Sequence, residues 1–414
     1  MAFSPMIAVS ARIAVDLKLF EYIVQHGPVA SEALARLSGA GELLIVRVLR
    51  LLSSVHFVQE TVGASNIWVS TPIRRAMATK EIAAGHRMIS QLTVPAIQSA
   101  PAFFLSNGYA CPIDPHNGLV QLAFHTEKTT FEHITETPSL LKDFTLFMGN
   151  TMGACRFWVD WYPVQSRILD GAEPDKALIV DVGGGKGHDL LAFREKFPGS
   201  ARRGQLVLQG VDLGDEAEVE KLAFDFFTEQ PIKGARVYFP HHILHDWSDE
   251  YCLRFLKNIV SAMTPGYSKL LVHEMIVLEQ GAPQFQAHLD MAMLAFNGGM
   301  ERTRQQWRRL LEKAGLQVIE FWDPVDEGRW NCRGSGWEFE LIWEAYYTYT
   351  YVYNMMFNHR ILYRLLPIDH DSENDNDKRS PTPTVARKGE IEKTTTIVKV
   401  YSTTVSASVT KGYR

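Results

Sequence analysis

The sequence of 414 residues has little cysteine and no strong excess of either charge. Its four cysteines stand apart without CxxC spacing, which excludes a disulfide framework and a zinc knuckle; they are Cys111, Cys155, Cys252 and Cys332. We therefore expect reduced thiols in a cytoplasmic protein. Lys and Arg number 42 against 47 Asp and Glu, a net charge of −5. This balance argues against nucleic acid as the main partner.

Neither a secretory signal nor a membrane-spanning helix is expected in two segments of the sequence. The N-terminus has no basic segment followed by an apolar run, so no secretory signal is predicted. The uncharged, Tyr-rich stretch at 345–357 is too short to span a membrane. What is present is a hydrophobic fraction of 46%, enough to bury real cores, and a charged fraction of 21%, typical of a globular protein.

Residues 1–170 form a first, mostly helical region. Apolar periodicity predicts helices over 6–25, 32–37 and 42–53, with Ser31 as the cap of the second. Apolar runs at 56–59 and 67–70 flank a turn, so the order predicts a winged helix. The third helix has only Arg47 and Arg50 as basic groups. It suits burial against a partner chain better than a DNA groove, and we disfavour DNA binding.

Residues 171–330 alternate β-branched runs with helical patterns. Strands are predicted over 177–182, 205–209, 235–239 and 269–273, and helices over 189–197, 216–224 and 249–263. This alternation predicts a parallel sheet with helices on both faces. Residues 331–414 differ in composition, with an acidic run at 369–377 and a Ser/Thr/Lys-rich end. We expect disorder from about residue 369.

A glycine-rich turn follows the first strand of the second region. Gly183, Gly185 and Gly187 alternate after Asp181, where a parallel sheet binds ligands. Lys186 is followed by Gly, not by the Ser or Thr of a P-loop, and the spacing is not that of a dinucleotide site. An acid directly before the glycines is typical of S-adenosylmethionine (SAM) sites. The alternative is a turn with a structural role only.

A histidine-rich segment lies where the fourth strand ends. Among its residues, His245 could take a proton from a phenol. Zinc is disfavoured, because His241 and His245 lack the Glu of an H-E-x-x-H motif and the segment begins as a strand. Glu274 and Glu301 follow at strand or loop ends, where a carboxylate could orient an imidazole. The alternatives are a strand-end cap for His245 and solvated positions for the acids.

These segments resemble the SAM-dependent O-methyltransferases of the caffeate and hydroxyflavonoid type, in particular their fungal secondary-metabolism branch. The resemblance covers about residues 5–324 and includes DVGGGKG, HHILHDWSDE, LLVHEMIV and NGGMERT in family order. It implies a Rossmann-like methyltransferase domain with a mainly parallel sheet, preceded by a winged-helix dimerisation domain. It also implies a homodimer, SAM as cofactor and an aromatic small-molecule acceptor, with no metal.

The resemblance assigns roles to individual residues. His245 matches the general base, Glu274 and Glu301 the acids beside it, and Asp246 an acceptor contact. The cofactor contacts implied are Asp181, Gly183, Gly185, Asp225, Phe226 and His241, with Asp212 as a candidate for the ribose. Asn297, Met148 and Met152 are candidates for the acceptor pocket, although helical core is the simpler interpretation of the two methionines.

Three departures from the family pattern stand out. Gly210 occupies the place of the acid that holds the ribose, with Asp212 two residues further on. The chain begins several dozen residues later than is usual, and the match ends near Pro324, before the strand that normally completes the sheet. The alternating segment 337–343 could replace that strand. Two other hypotheses therefore stay open: a SAM-binding relative that transfers no methyl group (a regulator or cofactor-assisted cyclase), and a degraded copy.

Overall fold

A computed structural model describes residues 3–149, 157–210 and 219–322, with the backbone alone for 72–74, 201 and the strand at 338–343. The predicted site residues Met152 and Asp212, and the segment from 369 that was expected to be disordered, lie outside this part. Within it, no helix combines the length and the apolarity needed to cross a bilayer.

The N-terminal part is helical, with one small antiparallel sheet of order β1-β3-β2. The strands are β1 (Val29–Ala30), β2 (Val58–Glu60) and β3 (Ile67–Ser70). The helices are α1 (Ser4–Asp16), α2 (Leu19–His26), α3 (Ser31–Ser38), α4 (Glu42–Ser54), α5 (Pro72–Met77), α6 (Lys80–Gln91), α7 (Thr93–Gln98), α8 (Ala100–Ser106), α9 (Leu119–Phe124), α10 (Thr130–Thr135) and α11 (Pro138–Met148). The predicted order of three helical segments followed by a hairpin is present. That this part is a winged-helix dimerisation domain stays a prediction.

Two local predictions in this part are wrong. The helix expected over 6–25 is divided in two, because Lys18 adopts a left-handed conformation (φ 55°) between α1 and α2. Ser31 is not the cap of α3, since Ala30 holds that position. The Ser31 hydroxyl instead accepts a hydrogen bond from the buried indole of Trp68 at 2.8 Å. This hydrogen bond between Ser31 and Trp68 fixes the hairpin against α3.

The second part contains a seven-stranded sheet whose pairings are all parallel, in the order β11-β12-β8-β7-β4-β5-β6. Its strands are β4 (Ala177–Val182), β5 (Gln205–Gly210), β6 (Glu220–Ala223), β7 (Val237–Phe239), β8 (Lys269–Glu274), β11 (Gln317–Trp322) and β12 (Glu338–Trp343). The helices of this part are α12 (His188–Lys196), α13 (Asp249–Ala262), α14 (Gln284–Ala295) and α15 (Arg304–Lys313). The Rossmann-like fold class is confirmed, and β12 fills the place suggested for 337–343.

One predicted helix of this part is a strand. Residues 216–224 were expected to be helical, yet β6 pairs with β5 in the register Val207↔Glu220. Backbone pairing at the sheet edge overrides the helical preference of Glu, Lys and Leu. Residues 216–218 themselves lie outside the described part.

A second, two-stranded parallel ladder stands next to the carboxyl edge of the sheet. It joins β9 (Ile276–Val277) to β10 (Arg302–Thr303), with Ile276 opposite Arg302. Because β9 follows Glu274 closely and β10 follows Glu301 directly, the ladder brings both predicted acids to one place. Buried hydrophobic clusters lie on both sides of the large sheet, and the N-terminal helices have clusters of their own.

Candidate active site

His245 lies in a short turn at the carboxyl edge of the sheet. Residues 243–247, here called the histidine turn, follow β7 and include a single 3-10 turn over Leu244–Asp246. The backbone amides of Ile243 and Leu244 donate to Oε1 of Glu274 at 3.0 and 2.8 Å. Glu274 ends the neighbouring strand β8, so the sheet itself holds the turn through this carboxylate.

Glu301 contacts the imidazole directly. Nδ1 of His245 lies 2.9 Å from Oε1 of Glu301 and 3.9 Å from Oε2 of Glu274. An ionised carboxylate can only accept a hydrogen bond, so Nδ1 carries a proton. Nε2 therefore is the ring atom left for an acceptor, and it lies 3.7 Å from Oδ1 of Asp246.

The electrostatics of this site favour a charged imidazole. Burial alone would lower the pKa of His245, but Glu301, Asp246 and Glu274 outweigh it and raise the pKa to about 10. Burial also raises the pKa of Asp246, to about 7, although His245 opposes the shift. At neutral pH the histidine turn thus holds an imidazolium among three carboxyl groups.

The glycine loop, residues 183–187, covers the carboxylate of Asp181. Gly183 has φ +81°, and a Cβ there would come within 2.5 Å of Ile243 in the histidine turn. A Cβ on Gly184 would overlap the Asp181 carboxylate. Both positions therefore require glycine. Neither oxygen of Asp181 has a hydrogen-bond partner among the described residues, although the side chain is fully buried.

Next to this loop lies a second cluster of acids and histidines. Oδ2 of Asp189 lies 2.7 Å from Nδ1 of His241 and 3.2 Å from Nε2 of His188. Burial raises the pKa of Asp181 to about 8, and Asp189 acts in the same direction. Burial would likewise raise the pKa of Asp189, but His241 and His188 hold it well below its ordinary range. His241 was predicted as a cofactor contact, and it lies in this cluster next to the glycine loop; its cofactor role stays a prediction.

His188 and Asp189 were missed by the sequence reasoning. They open α12 immediately after the glycine loop. A polar pair in the first turn of the helix that follows such a loop faces the ligand edge, and this placement is the signal that could have identified them. His242, whose ring centroid is 5.1 Å from that of His245, was also overlooked.

The predicted adenine contacts occupy the next loop. The exposed Asp225 accepts a hydrogen bond from the amide of Phe227 at 2.9 Å. Phe226 is half-buried, with its ring 6.0 Å from Trp247 of the histidine turn and 5.3 Å from Phe255. The two residues thus border the same edge of the sheet, and their cofactor role stays a prediction.

The acceptor candidates are placed in the helical part and next to it. Asn297 is buried, and its Oδ1 accepts a hydrogen bond from the amide of Thr130 at the start of α10. Its Nδ2 has no partner among the described residues. Met148 ends α11 and packs against the helical cluster that also contains Met293 and Phe296. Their acceptor roles stay predictions.

The histidines belong to two different clusters with respect to metal binding. His241 groups with His188 and Asp189, whereas His245 groups with His242 and Glu274, with ligand atoms within 4.8 Å in each group. His241 and His245 therefore do not form the pair considered for zinc. In the first cluster the imidazoles contact Asp189 at 2.7 and 3.2 Å, whereas in the second they lie 3.8 and 3.9 Å from Glu274. The absence of a metal stays a prediction.

Comparison with known proteins addresses the identity of the chain. Residues 174–317 match the model of the O-methyltransferase domain family. The chain is 59% identical over 335 residues to the O-methyltransferase penC of Penicillium thymicola, covering 79% of this chain and 83% of that protein. The chain belongs to the O-methyltransferase family. The predicted family and enzyme class are confirmed.

Other relatives of this methyltransferase extend the comparison. The O-methyltransferase asqD of Emericella nidulans is 59% identical over 333 residues, which cover 78% of this chain and 85% of that protein. A solved structure of LepI in complex with SAM is 31% identical with a TM-score of 0.69, covering 77% and 82% of the two chains. A solved "pericyclic reaction enzyme" is also 31% identical, with a TM-score of 0.68 and coverage of 75% and 81%. The LepI complex contains the cofactor that the resemblance implied.

Proposed function

We propose that this methyltransferase transfers the methyl group of SAM to a hydroxyl of an aromatic, phenolic or polyketide-derived small molecule, with His245 as the base. The observation that carries the proposal is the contact of 2.9 Å between His245 Nδ1 and Glu301, which leaves Nε2 for the acceptor. Bound SAM supplies an electrophilic methyl group on a sulfonium. The residues of the chain bind the cofactor, bind the acceptor and move its proton.

The buried acids at the glycine loop fit the cofactor. Three carboxylate oxygens, both of Asp181 and Oδ1 of Asp189, are buried without hydrogen-bond partners in the described part of the chain. Leaving such groups unpaired is costly, and an ammonium group supplies three N–H donors. We assign these oxygens to the α-ammonium of SAM. Gly183, Gly185 and His241 complete this contact surface, and Asp225 with Phe226 would meet the adenine.

The raised pKa of His245 defines the form in which the acceptor reacts. The proton that His245 carries in the free protein leaves to solvent, the neutral imidazole then takes the phenolic proton at Nε2, and the imidazolium that results holds the phenolate oxygen next to its Nε2–H. A phenol with an ordinary pKa near 10 and a histidine of similar pKa exchange a proton at little free-energy cost. Neutral histidine with phenol, and imidazolium with phenolate, contain the same number of protons. The site therefore stabilises the ion pair that places a nucleophilic oxygen at Nε2.

The acceptor pocket is proposed to lie between the histidine turn and the helical part. Asp246, half protonated near pH 7, and Asn297, with its uncommitted Nδ2, supply polar contacts. Met148, and Met152 beyond the described residues, would supply apolar ones. Ser248 donates to the carbonyl of Ile113 at 2.9 Å, which fastens the helical part to the end of the histidine turn.

A homodimer is proposed through the helical part. On α4 the side chains of Leu43 and Leu44 are 72% and 46% exposed, next to Arg47 and Arg50. This surface supports burial against a second copy of the chain. Light scattering of the purified protein, at about twice the mass of one chain, would support the proposal.

The experiment that tests the function follows labelled methyl groups. Labelled SAM is incubated with a panel of phenolic acceptors and the wild type, His245→Asn or the control His26→Asn, which changes an exposed histidine at the end of α2. We expect transfer to fall about 10³-fold in His245→Asn alone, with the Kd of SAM unchanged by calorimetry, because base removal contributes about 10² to 10⁴. Equal transfer in both variants would contradict the role of His245.

A second function has one observation in its favour. The 31% identical pericyclic reaction enzyme has the same fold, and an imidazolium of raised pKa can donate a hydrogen bond to a carbonyl as an acid catalyst. SAM binding without transfer to any acceptor, together with conversion of a polyunsaturated substrate at unchanged mass, would favour this cyclase. Absence of SAM binding would instead favour a degraded copy.

A further inference from the structure

Arg302 is a buried charge for which the proposed chemistry has no use. It follows the active-site acid Glu301 directly and opens β10, and its side chain is fully buried. Removing a guanidinium from water is expensive unless hydrogen bonds replace the lost solvent. The contacts that replace it therefore indicate what the residue does.

The guanidinium binds both ends of the histidine turn. Nη1 donates to the carbonyl of Leu244 at 3.0 Å, and Nη2 donates to the carbonyl of Trp247 at 2.9 Å. Nε donates to the half-exposed carboxylate of Asp249 at 2.9 Å, and the guanidinium lies 5.1 Å from the ring of Trp307. The planar fork thus spans the two residues that carry the base and its neighbour, His245 and Asp246.

The remaining polar groups of the turn are held as well. The amide of Met300 donates to the carbonyl of His245 at 2.9 Å, and the thiol of Cys252 lies 3.1 Å from the carbonyl of Leu244. On the opposite side, Glu274 accepts from the amides of Ile243 and Leu244. The turn is therefore fixed between Glu274 at the end of β8 and the segment 300–302, which leads into β10.

We propose that Arg302 is a positioning residue that clamps the histidine turn onto the segment carrying Glu301, and so sets the contact between His245 and that acid. It touches neither cofactor nor acceptor in this scheme. The inference deepens the proposed function and rests on it for its kinetic consequence, but its structural consequence can be measured without any acceptor. Lysine cannot replace the fork, because its ammonium is a point charge on a flexible stem.

The decisive measurement is the NMR titration of His245 in the full-length protein, assigned by its loss in His245→Asn. If the clamp is lost, His245 moves away from Glu301 and its pKa falls by about one unit. Arg302→Met separates loss of the clamp from a simple charge effect. Removing a positive charge by itself would raise the pKa of His245, whereas loss of the clamp lowers it. Arg302→Lys keeps the charge and is expected to lower the pKa as well. The control is Arg309→Lys, an exposed arginine on α15.

The kinetic measurement is expected to show a fall in kcat of about 10²-fold for Arg302→Lys, since small misplacements of a reacting group have this effect, with the Kd of SAM within about twofold. Folded variants with the pKa of His245 and the kcat of the control would overturn the inference. If wild type transfers no methyl group, the titration still decides the role of Arg302, so the two proposals fail separately.

Asp249→Asn keeps the inference testable should the Arg302 variants not fold. This carboxylate is 51% exposed and holds the guanidinium from outside, so its loss should loosen the clamp without unfolding the protein. The matched control Glu250→Gln removes a neighbouring exposed charge. A larger fall in the pKa of His245 for Asp249→Asn than for Glu250→Gln supports the clamp, and equal shifts overturn it.

Discussion

The histidine turn and the glycine loop both bring buried carboxylates against imidazole rings at the same edge of the sheet. Around His245 three acids face one histidine, and its pKa rises to about 10. Around Asp189 two histidines face one acid, and its pKa falls well below the ordinary range, while that of Asp181 rises to about 8. The group in the minority is charged in each cluster, and this charged group decides which ligand the cluster attracts.

This difference suits two different ligands. The histidine turn presents a cation to an oxygen anion, as a phenolate requires. The glycine loop presents acceptor oxygens to a cationic group, as an amino-acid ammonium requires. The ring of His242 lies 5.1 Å from His245 and 4.5 Å from His241, so the two clusters are neighbours and not separate sites.

The largest effect is expected when the surplus of acid at His245 is reduced. In Glu301→Gln the pKa of His245 should fall by about one to two units, because the carboxylate that contributes most to raising it is neutralised. Only the neutral imidazole can accept the phenolic proton, so the rate falls below the pKa of His245. The acid limb of the pH–rate profile, expected near pH 10 in wild type, should therefore move to lower pH, and the weaker, less well oriented base should lower kcat about 10²-fold.

Rates measured from pH 6 to 11 check this, with Glu312→Gln on the exposed side of α15 as control. An acid limb that stays in place in Glu301→Gln would show that His245 does not govern it.

A smaller effect is expected from the acid at the glycine loop. Asp189→Asn removes the charge shared by His188 and His241 and one of the acceptors assigned to the cofactor. The Kd of SAM should rise about tenfold, the size of one charged hydrogen bond, while kcat at saturating SAM stays within about threefold. Calorimetry and initial rates measure the two quantities, with the exposed Asp175→Asn as control. A loss confined to kcat would remove the distinction between the clusters.

The smallest effect concerns a single proton. Asp181 has a pKa near 8, so at pH 7 its carboxyl group is largely protonated in the free protein. A bound ammonium favours the ionised form, so binding of SAM should release up to about one proton at pH 7 and fewer at pH 9. Calorimetry in buffers of different ionisation enthalpy measures this number. Release that persists in Asp181→Asn would assign the proton to another group.

The sequence allowed much of this site to be predicted because its motifs are local. Asp181 with the glycines, and His245 with Asp246, each lie within one short segment at a strand end. The parallel sheet could be predicted from the alternation of buried runs and helices. His245 and Glu301 are distant in the chain, and their pairing was predicted only from the family resemblance.

What could not be predicted depends on tertiary contacts. Nothing in the local pattern shows that Ser31 serves Trp68 instead of the helix start, or that Lys18 takes a left-handed conformation between two helices. The sequence of β6 has a helical pattern, and the segment is a strand only because its backbone pairs with β5. The clamp of Arg302 was missed for the same reason, since its acceptors are backbone carbonyls, which every sequence possesses.

The two-residue ladder between β9 and β10 has a consequence for how the enzyme can vary. It fixes Glu274 and Glu301 side by side, although α14 and its flanking loops separate them along the chain. Replacement of α14, which packs on α7 and α9 of the helical part, is therefore expected to leave the pair of acids in place. The ladder thus allows the helix between the two glutamates to change its sequence while Glu274 and Glu301 keep their relative positions.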